Sequence, residues 1–127
     1  MKKFINDNIW NEKLCKYLEP ELEQEVNHLY QDCFQFSPRE EVLDTMAFVT
    51  KCFLERNKQL EEPRLIVQVK MKWDLLTIYY DGGHDPYLSE MVKMAAEMAT
   101  QTLLKVDRQY AKGGFRRRKV LQPNQDR

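Results

Sequence analysis

Asp81, His84 and Asp85 fall within the run Tyr79-Tyr80-Asp81-Gly82-Gly83-His84-Asp85-Pro86, where carboxylates and an imidazole stand beside two glycines. Imidazole nitrogen and carboxylate oxygen together suit several divalent cations. Glycines between a strand and a helix also let backbone N–H groups approach a phosphate, and a helix start adds a favourable partial charge. The two acids work against that second chemistry, because a bare anion meets repulsion there unless a divalent cation bridges it. Neither GxxxxGK[ST] nor GxGxxG is present, so the phosphate-loop signatures are missing. Asp85 followed by Pro86 has the composition of a helix N-cap with proline in the first helical position. The run therefore reads first as a turn and a cap, with metal or nucleotide binding by Asp81, His84 and Asp85 as the alternative.

A helix, a strand pair and then Asp81-Gly82-Gly83 resembles, in those three residues, the ATP-binding fold of histidine kinases and Hsp90-like ATPases. That family holds magnesium with an asparagine on the preceding helix and closes a glycine-rich lid later in the chain. Residues 38–56 offer no such asparagine and no lid follows, so no family is assigned.

Other chemistry is sparse. His28, the second histidine, lies far along the chain from His84 in a helical pattern, and no Ser/His/Asp or Cys/His set follows from spacing. Cys15, Cys33 and Cys52 are an odd set with no CxxC pair, which gives neither a closed disulfide framework nor a zinc site. Reduced core thiols in a cytoplasmic protein are expected. No catalytic residue and no cofactor are expected either.

Between residues 105 and 119 Lys105, Arg108, Lys112, Arg116, Arg117, Arg118 and Lys119 oppose only Asp107. Such a segment can neutralise nucleic-acid phosphates, with Tyr110 or Phe115 stacking on a base. It can equally be a solvated tail, or dock on the acidic N-terminal half, since acidic side chains outnumber basic ones over residues 1–63 and the reverse holds over 64–127. The chain as a whole has a formal net charge of zero.

The elements that must position these groups read as follows. Trp10, Leu14, Tyr17 and Leu18 share one face of a short helix that Pro20 interrupts; Leu22, Val26, Leu29 and Cys33 then recur at helical spacing, predicting a helix that ends near 34–36. Ser37, Pro38 and Glu40 have the composition of an N-cap, a first-turn proline and a capping box. They predict a long helix from 38 to about 60 with Val42, Met46, Val49 and Phe53 in one row.

After Pro63 the period becomes two. Leu65, Val67, Val69, Met71 and Trp73 alternate with Gln68, Lys70 and Lys72, and Leu76, Ile78 and Tyr80 alternate with Leu75, Thr77 and Tyr79. A hairpin turning at 72–74 is predicted. The last helix runs from Pro86 to about Lys112, with Leu88, Met91, Ala95, Met98, Thr102 and Val106 on its inner face.

The fold class is α+β: N-terminal helices and a long C-terminal helix on a small antiparallel sheet. Two strands alone are marginal, so a third is expected from the tail around 115–121 or from a partner. One domain over 1–114 and a basic, then polar tail over 115–127 are predicted. No run approaches a membrane span. The function expected is non-enzymatic protein binding, as a regulatory or adaptor domain that also self-associates, with Trp73, Tyr79, Tyr87 and Met94 as contacts. Nucleic-acid binding through Lys112, Arg116, Arg117, Arg118 and Lys119 is the alternative.

Overall fold

Among the described residues, four helices and three strands follow in the order α1 (Asn8–Cys15), α2 (Glu23–Leu29), β1 (Gln35–Ser37), α3 (Leu43–Asn57), β2 (Leu65–Lys72), β3 (Leu75–Asp81) and α4 (Pro86–Lys112), with 3-10 turns at Pro20–Leu22 and Glu40–Val42. The computed structural model describes the backbone of residues 8–112 and the side chains of residues 12–108. The class is α+β, as the periodicities imply.

The sheet has the order β1-β2-β3. β2 and β3 form the expected hairpin, but β1 runs parallel to β2 with Gln35, Phe36 and Ser37 opposite Gln68, Val69 and Lys70. The sheet is therefore mixed rather than wholly antiparallel, and its third strand is the segment before α3. Residues 115–121, where a tail strand was expected, lie outside the described residues. One aromatic holds the short strand in place: Phe36 is buried in the row Phe36–Val69–Ile78 and meets Tyr30 edge-on, 5.6 Å between centroids at 88°.

This pairing corrects the predicted start of α3. Ser37 is extended in β1 and Arg39 is extended after it (φ −70°, ψ 147°), so the chain turns through Glu40–Val42 before α3 begins, and no side-chain cap bond forms at either start. Glu40, the expected capping-box acid, pairs with Lys13 at 2.9 Å instead. α2 likewise ends early, at Leu29, and leaves Tyr30 as its buried cap residue.

A bulge between Ile66 and Gln68 resets the alternation of β2. Val67 is the extra residue, so Ile66 rather than Leu65 or Val67 enters the core, while Val69 stays buried and Met71 packs against that core as predicted. One slipped residue exchanges the faces of everything on one side of it. β3 keeps its pattern, with Leu76 and Ile78 buried and Tyr80 packed on the core.

α4 begins at Pro86 with Asp85 before it, as the cap signal predicts. Arg56 and Asp85 join the end of α3 to the start of α4, and α4 then packs back against the turn that precedes α3, so the two helices run antiparallel. Leu88, Met91, Ala95, Ala99 and Leu103 are buried along α4, whereas Met98, expected inside, is 37% exposed. The buried positions run in steps of four from Met91 to Leu103, each step about 40° more than a full turn, so the stripe winds around the helix and leaves Met98 at its edge.

Candidate functional site

The 81–85 loop is built from the end of α3 outward. Arg56 donates from Nε to Asp85 Oδ2 at 3.1 Å and from Nη2 to Asp85 Oδ1 at 2.9 Å. The Leu88 N–H donates to the same carboxylate at 3.0 Å, which is the N-cap bond of α4. Asp85 is 3% exposed. The Arg56 guanidinium, and after it the Leu88 N–H, hold its carboxyl below the ordinary value against the opposing effect of burial.

The next residue of α3 does parallel work. Asn57 accepts from the Arg64 N–H at 2.9 Å and donates to the Arg64 carbonyl at 3.0 Å, a side-chain copy of a backbone ladder step. Arg64 in turn donates to the carbonyls of Gly83 (2.8 Å) and Glu62 (2.7 Å), pinning the loop to the entry of β2. Gly82 and Gly83 have φ of +109° and +106°, where side chains are strained. A Cβ on Gly82 would stand 2.9 Å from the Pro63 carbonyl oxygen.

Tyr80 completes the joint. Its hydroxyl accepts from the Asp85 N–H at 3.0 Å and lies 2.9 Å from Ser89 Oγ, which is itself 3.2 Å from His84 Nδ1. A serine touching a histidine is the starting pair of acyl-transfer chemistry, and spacing alone did not reveal it. Here the serine hydroxyl is shared with Tyr80, and Tyr80 holds the first residues of α4, so the contact belongs to the network that aims the helix.

The structure thus places Asp85 inside an ion pair, His84 on the surface beside Ser89, and Asp81 exposed at the end of β3. Among the described residues, no three histidine, cysteine or acidic side chains are gathered to hold a metal ion. Asn57, at the end of the helix before the hairpin, is committed to Arg64. Arg56, which organises the site, escaped the sequence reading because nothing local ties position 56 to position 85.

The four expected protein contacts divide between two surfaces. Trp73, at the hairpin tip and 83% exposed, and Tyr79 belong to the outer side of the sheet, where Lys70 Nζ lies 5.7 Å from the centre of the Tyr79 ring. Gln68 donates to Gln35 at 2.7 Å on the same face. Tyr87 (48% exposed) and Met94 (50%) belong to the outer rim of the α3–α4 seam, with Met98 following them at helical spacing. Arg56 lies over the Tyr87 ring at 5.5 Å. On α3, Phe48 comes before Arg56 by about 12 Å along the helix and about a quarter-turn around it. Phe48 is 40% exposed as well. It falls outside the Val42-Met46-Val49-Phe53 row, and that departure was the signal for it.

An open groove of about 980 Å³ lies elsewhere, between α2 and α3, with Leu22, Leu29 and Leu54 among its lining residues. Lys51 and Lys58 in its lining pair with Glu19 (3.3 Å) and Glu55 (3.1 Å), and His28 lines it too. Of the residues weighed from sequence as candidates for chemistry or binding, the groove includes only His28. Cys33 is buried and its thiol, hydrogen-bonded to the Gln35 carbonyl at 3.3 Å, is pushed up to about 11 by burial, the opposite of an activated nucleophile. Of the basic segment, Lys105 and Arg108 are exposed on α4; the Lys112 side chain and Arg116, Arg117, Arg118 and Lys119 lie outside the described residues. No helix of the described residues is long and apolar enough to cross a membrane. Comparison with protein-family models, with curated proteins and with solved structures found no match.

Proposed function

We infer that this chain is a non-enzymatic protein-binding domain, of regulatory or adaptor type and cytoplasmic, that engages another polypeptide along the α3–α4 seam. One observation carries the reading: Tyr87, Met94 and Met98 are exposed at helical spacing along one rim of α4, while their neighbours Leu88, Met91 and Ala95 fill the core. Contiguous apolar surface of this kind marks an interaction site, and methionine supplies a soft surface that adapts to a partner. Arg56 adds a cation stacked on Tyr87 at the end of the strip, and arginine and tyrosine are the residue types enriched where binding energy concentrates.

The test is a photo-activated cross-linking residue placed at Met94 in the full chain, with Lys58, which follows α3 and lines the groove between α2 and α3, as the control position. Irradiation in the cell should give a discrete protein adduct from position 94, absent from position 58 and lost when Met98→Glu is added. Adducts that are the same from both positions, or none from position 94, would reject the seam as the binding surface.

A further inference from the structure

We propose that β3 is the dimer edge of this protein, pairing antiparallel with β3 of a second copy about a two-fold axis at Ile78. The proposal uses a different surface from the α3–α4 seam, and either can fail without the other.

The hairpin geometry determines which backbone groups are open. Lys72 pairs with Leu75 across a two-residue turn, and the residues closing such a turn exchange both of their hydrogen bonds. Alternation along an antiparallel ladder then directs the N–H and C=O of Leu75, Thr77 and Tyr79 to β2, and those of Leu76, Ile78 and Tyr80 away from it. Among the described residues no strand lies on that side of β3.

Sheet edges are ordinarily protected by lysine, proline, a bulge or brevity. β3 has none of these devices: Leu75-Leu76-Thr77-Ile78-Tyr79-Tyr80-Asp81 holds no lysine and no proline, the bulge is on β2, and the strand is 7 residues long. Strand-favouring residues fill it, which suits pairing rather than avoidance.

A second copy is the occupant that the pattern fits. With the axis at Ile78, Leu76 faces Tyr80 of the other copy, Ile78 faces its own equivalent, and Tyr80 faces Leu76. All three pairs are outward-directed residues on both strands, so every open N–H and C=O of the edge finds a partner. Moving the axis to Thr77 pairs Leu76 with Ile78 and carries Tyr80 past the strand onto the turn.

On the outer face the same register sets Thr77 against Tyr79 and Leu75 against Asp81. Lys72 is beside Leu75 in β2, so the acid that ends one β3 approaches a lysine of the other copy. It also carries Trp73, the most exposed large hydrophobic side chain of the described residues, toward the Gly82–Gly83 loop of its neighbour.

Two measurements on the full chain decide this. Light scattering across a dilution series should give twice the 15.3 kDa chain mass at high concentration, and amide hydrogen exchange should show Leu76, Ile78 and Tyr80 protected in step with dimer content. The double variant Thr77→Glu, Tyr79→Glu sets carboxylates opposite one another across the axis on the outer face of the sheet, while position 77 still faces an opposite charge in Lys70 of its own hairpin. It should be monomeric, with those three amides exchanging at least tenfold faster and the far-ultraviolet spectrum unchanged. A monomer at every concentration would overturn the proposal, as would a dimer that survives the double variant. So would protection of the three amides that depends on residues after Gly113 and disappears on truncation there, because the chain's own tail would then cover the edge.

Discussion

Arg56 and Asp85 meet through two hydrogen bonds, at 3.1 and 2.9 Å, and this single pair fixes where α4 leaves the sheet relative to α3. The same carboxylate caps α4 through the Leu88 N–H, so one buried acid serves two elements that are far apart in sequence.

Asp85→Ala should cost about 1–2 kcal/mol from the lost cap, and more where the Arg56 charge is left without its partner. Asp85→Asn, which keeps an oxygen for the Leu88 N–H but loses the charge, should recover part of the loss. Thermal melting of the two variants against Arg56→Ala and the double variants gives the coupling. Since the folded-state pKa of Asp85 is depressed, the native state binds fewer protons than the unfolded chain as the pH enters the carboxyl range. Its contribution is fully present above about pH 4–5, where unfolded aspartate is ionised, and is lost as the pH falls through the lower folded value. An acid melting series in which wild type and Asp85→Asn keep a constant difference down to the lowest pH would contradict this.

Gly82 and Gly83 look alike in sequence and should respond differently to alanine. Both have positive φ (+109° and +106°), but a Cβ at Gly82 also meets the Pro63 carbonyl at 2.9 Å and Arg64 Cδ at 3.0 Å, whereas at Gly83 the nearest atom is the Arg64 guanidinium at 3.7 Å. Gly83→Ala should lose about 1–3 kcal/mol, the cost of a strained backbone. Gly82→Ala should lose more, because backbone has to move. Equal losses in denaturant unfolding would show that the contact with Pro63 relaxes freely.

Much of this was legible because it is local. The Asp85-Pro86 cap, the presence of the hairpin, the facing of β3 and the extent of α4 follow from local signals, and the structure has each of them. What escaped depends on distant partners. Ser37 has the composition of a cap yet pairs opposite Lys70, and Phe36 fills a core row that only the folded sheet creates. The bulge at Val67 carries no proline or glycine to announce it. At the loop, the glycines and the cap were readable, but Arg56 and Asn57 come from the end of α3 and Arg64 from the connection before β2. The sequence marks exposed aromatics and methionines only as residue types. Their division between the outer sheet and the helix seam is set by tertiary packing.

Tyr30→Phe isolates one buried hydrogen bond. The Tyr30 hydroxyl lies 2.7 Å from Thr50 Oγ1, and Thr50 also donates to the Met46 carbonyl at 2.8 Å, so the threonine keeps a partner when the phenol is removed. The loss should be about 1–1.5 kcal/mol, the net value of a satisfied bond. Burial raises the Tyr30 pKa in the folded state, so the native chain holds this proton more tightly than the unfolded one. The stability it supplies is complete below the unfolded tyrosine value of about 10 and declines as the pH rises beyond it. Tyr30→Phe should flatten the alkaline limb of the stability curve, and an unchanged limb would assign that decline to other groups.

Trp73 and Asp74 occupy the hairpin turn with φ of +56° and +62°, the left-handed pair that a primed type I turn demands and that asparagine and glycine adopt far more readily. A bulky residue there costs about 1–2 kcal/mol, and Trp73 recovers little of it by burial, being 83% exposed. The double substitution Trp73→Asn, Asp74→Gly should therefore raise the melting midpoint by several degrees. The gain should be largest in the Thr77→Glu, Tyr79→Glu background, where the chain is monomeric and Trp73 has no neighbour to meet. In the otherwise native chain the same change should stabilise each hairpin while shifting the dilution curve toward monomer, because the tryptophan that strains the turn is the one that reaches the second copy. A variant that melts lower in the monomeric background would show that the tip is not strained. One that melts higher and dimerises as before would separate the tip from the interface and leave the β3 ladder alone to carry it.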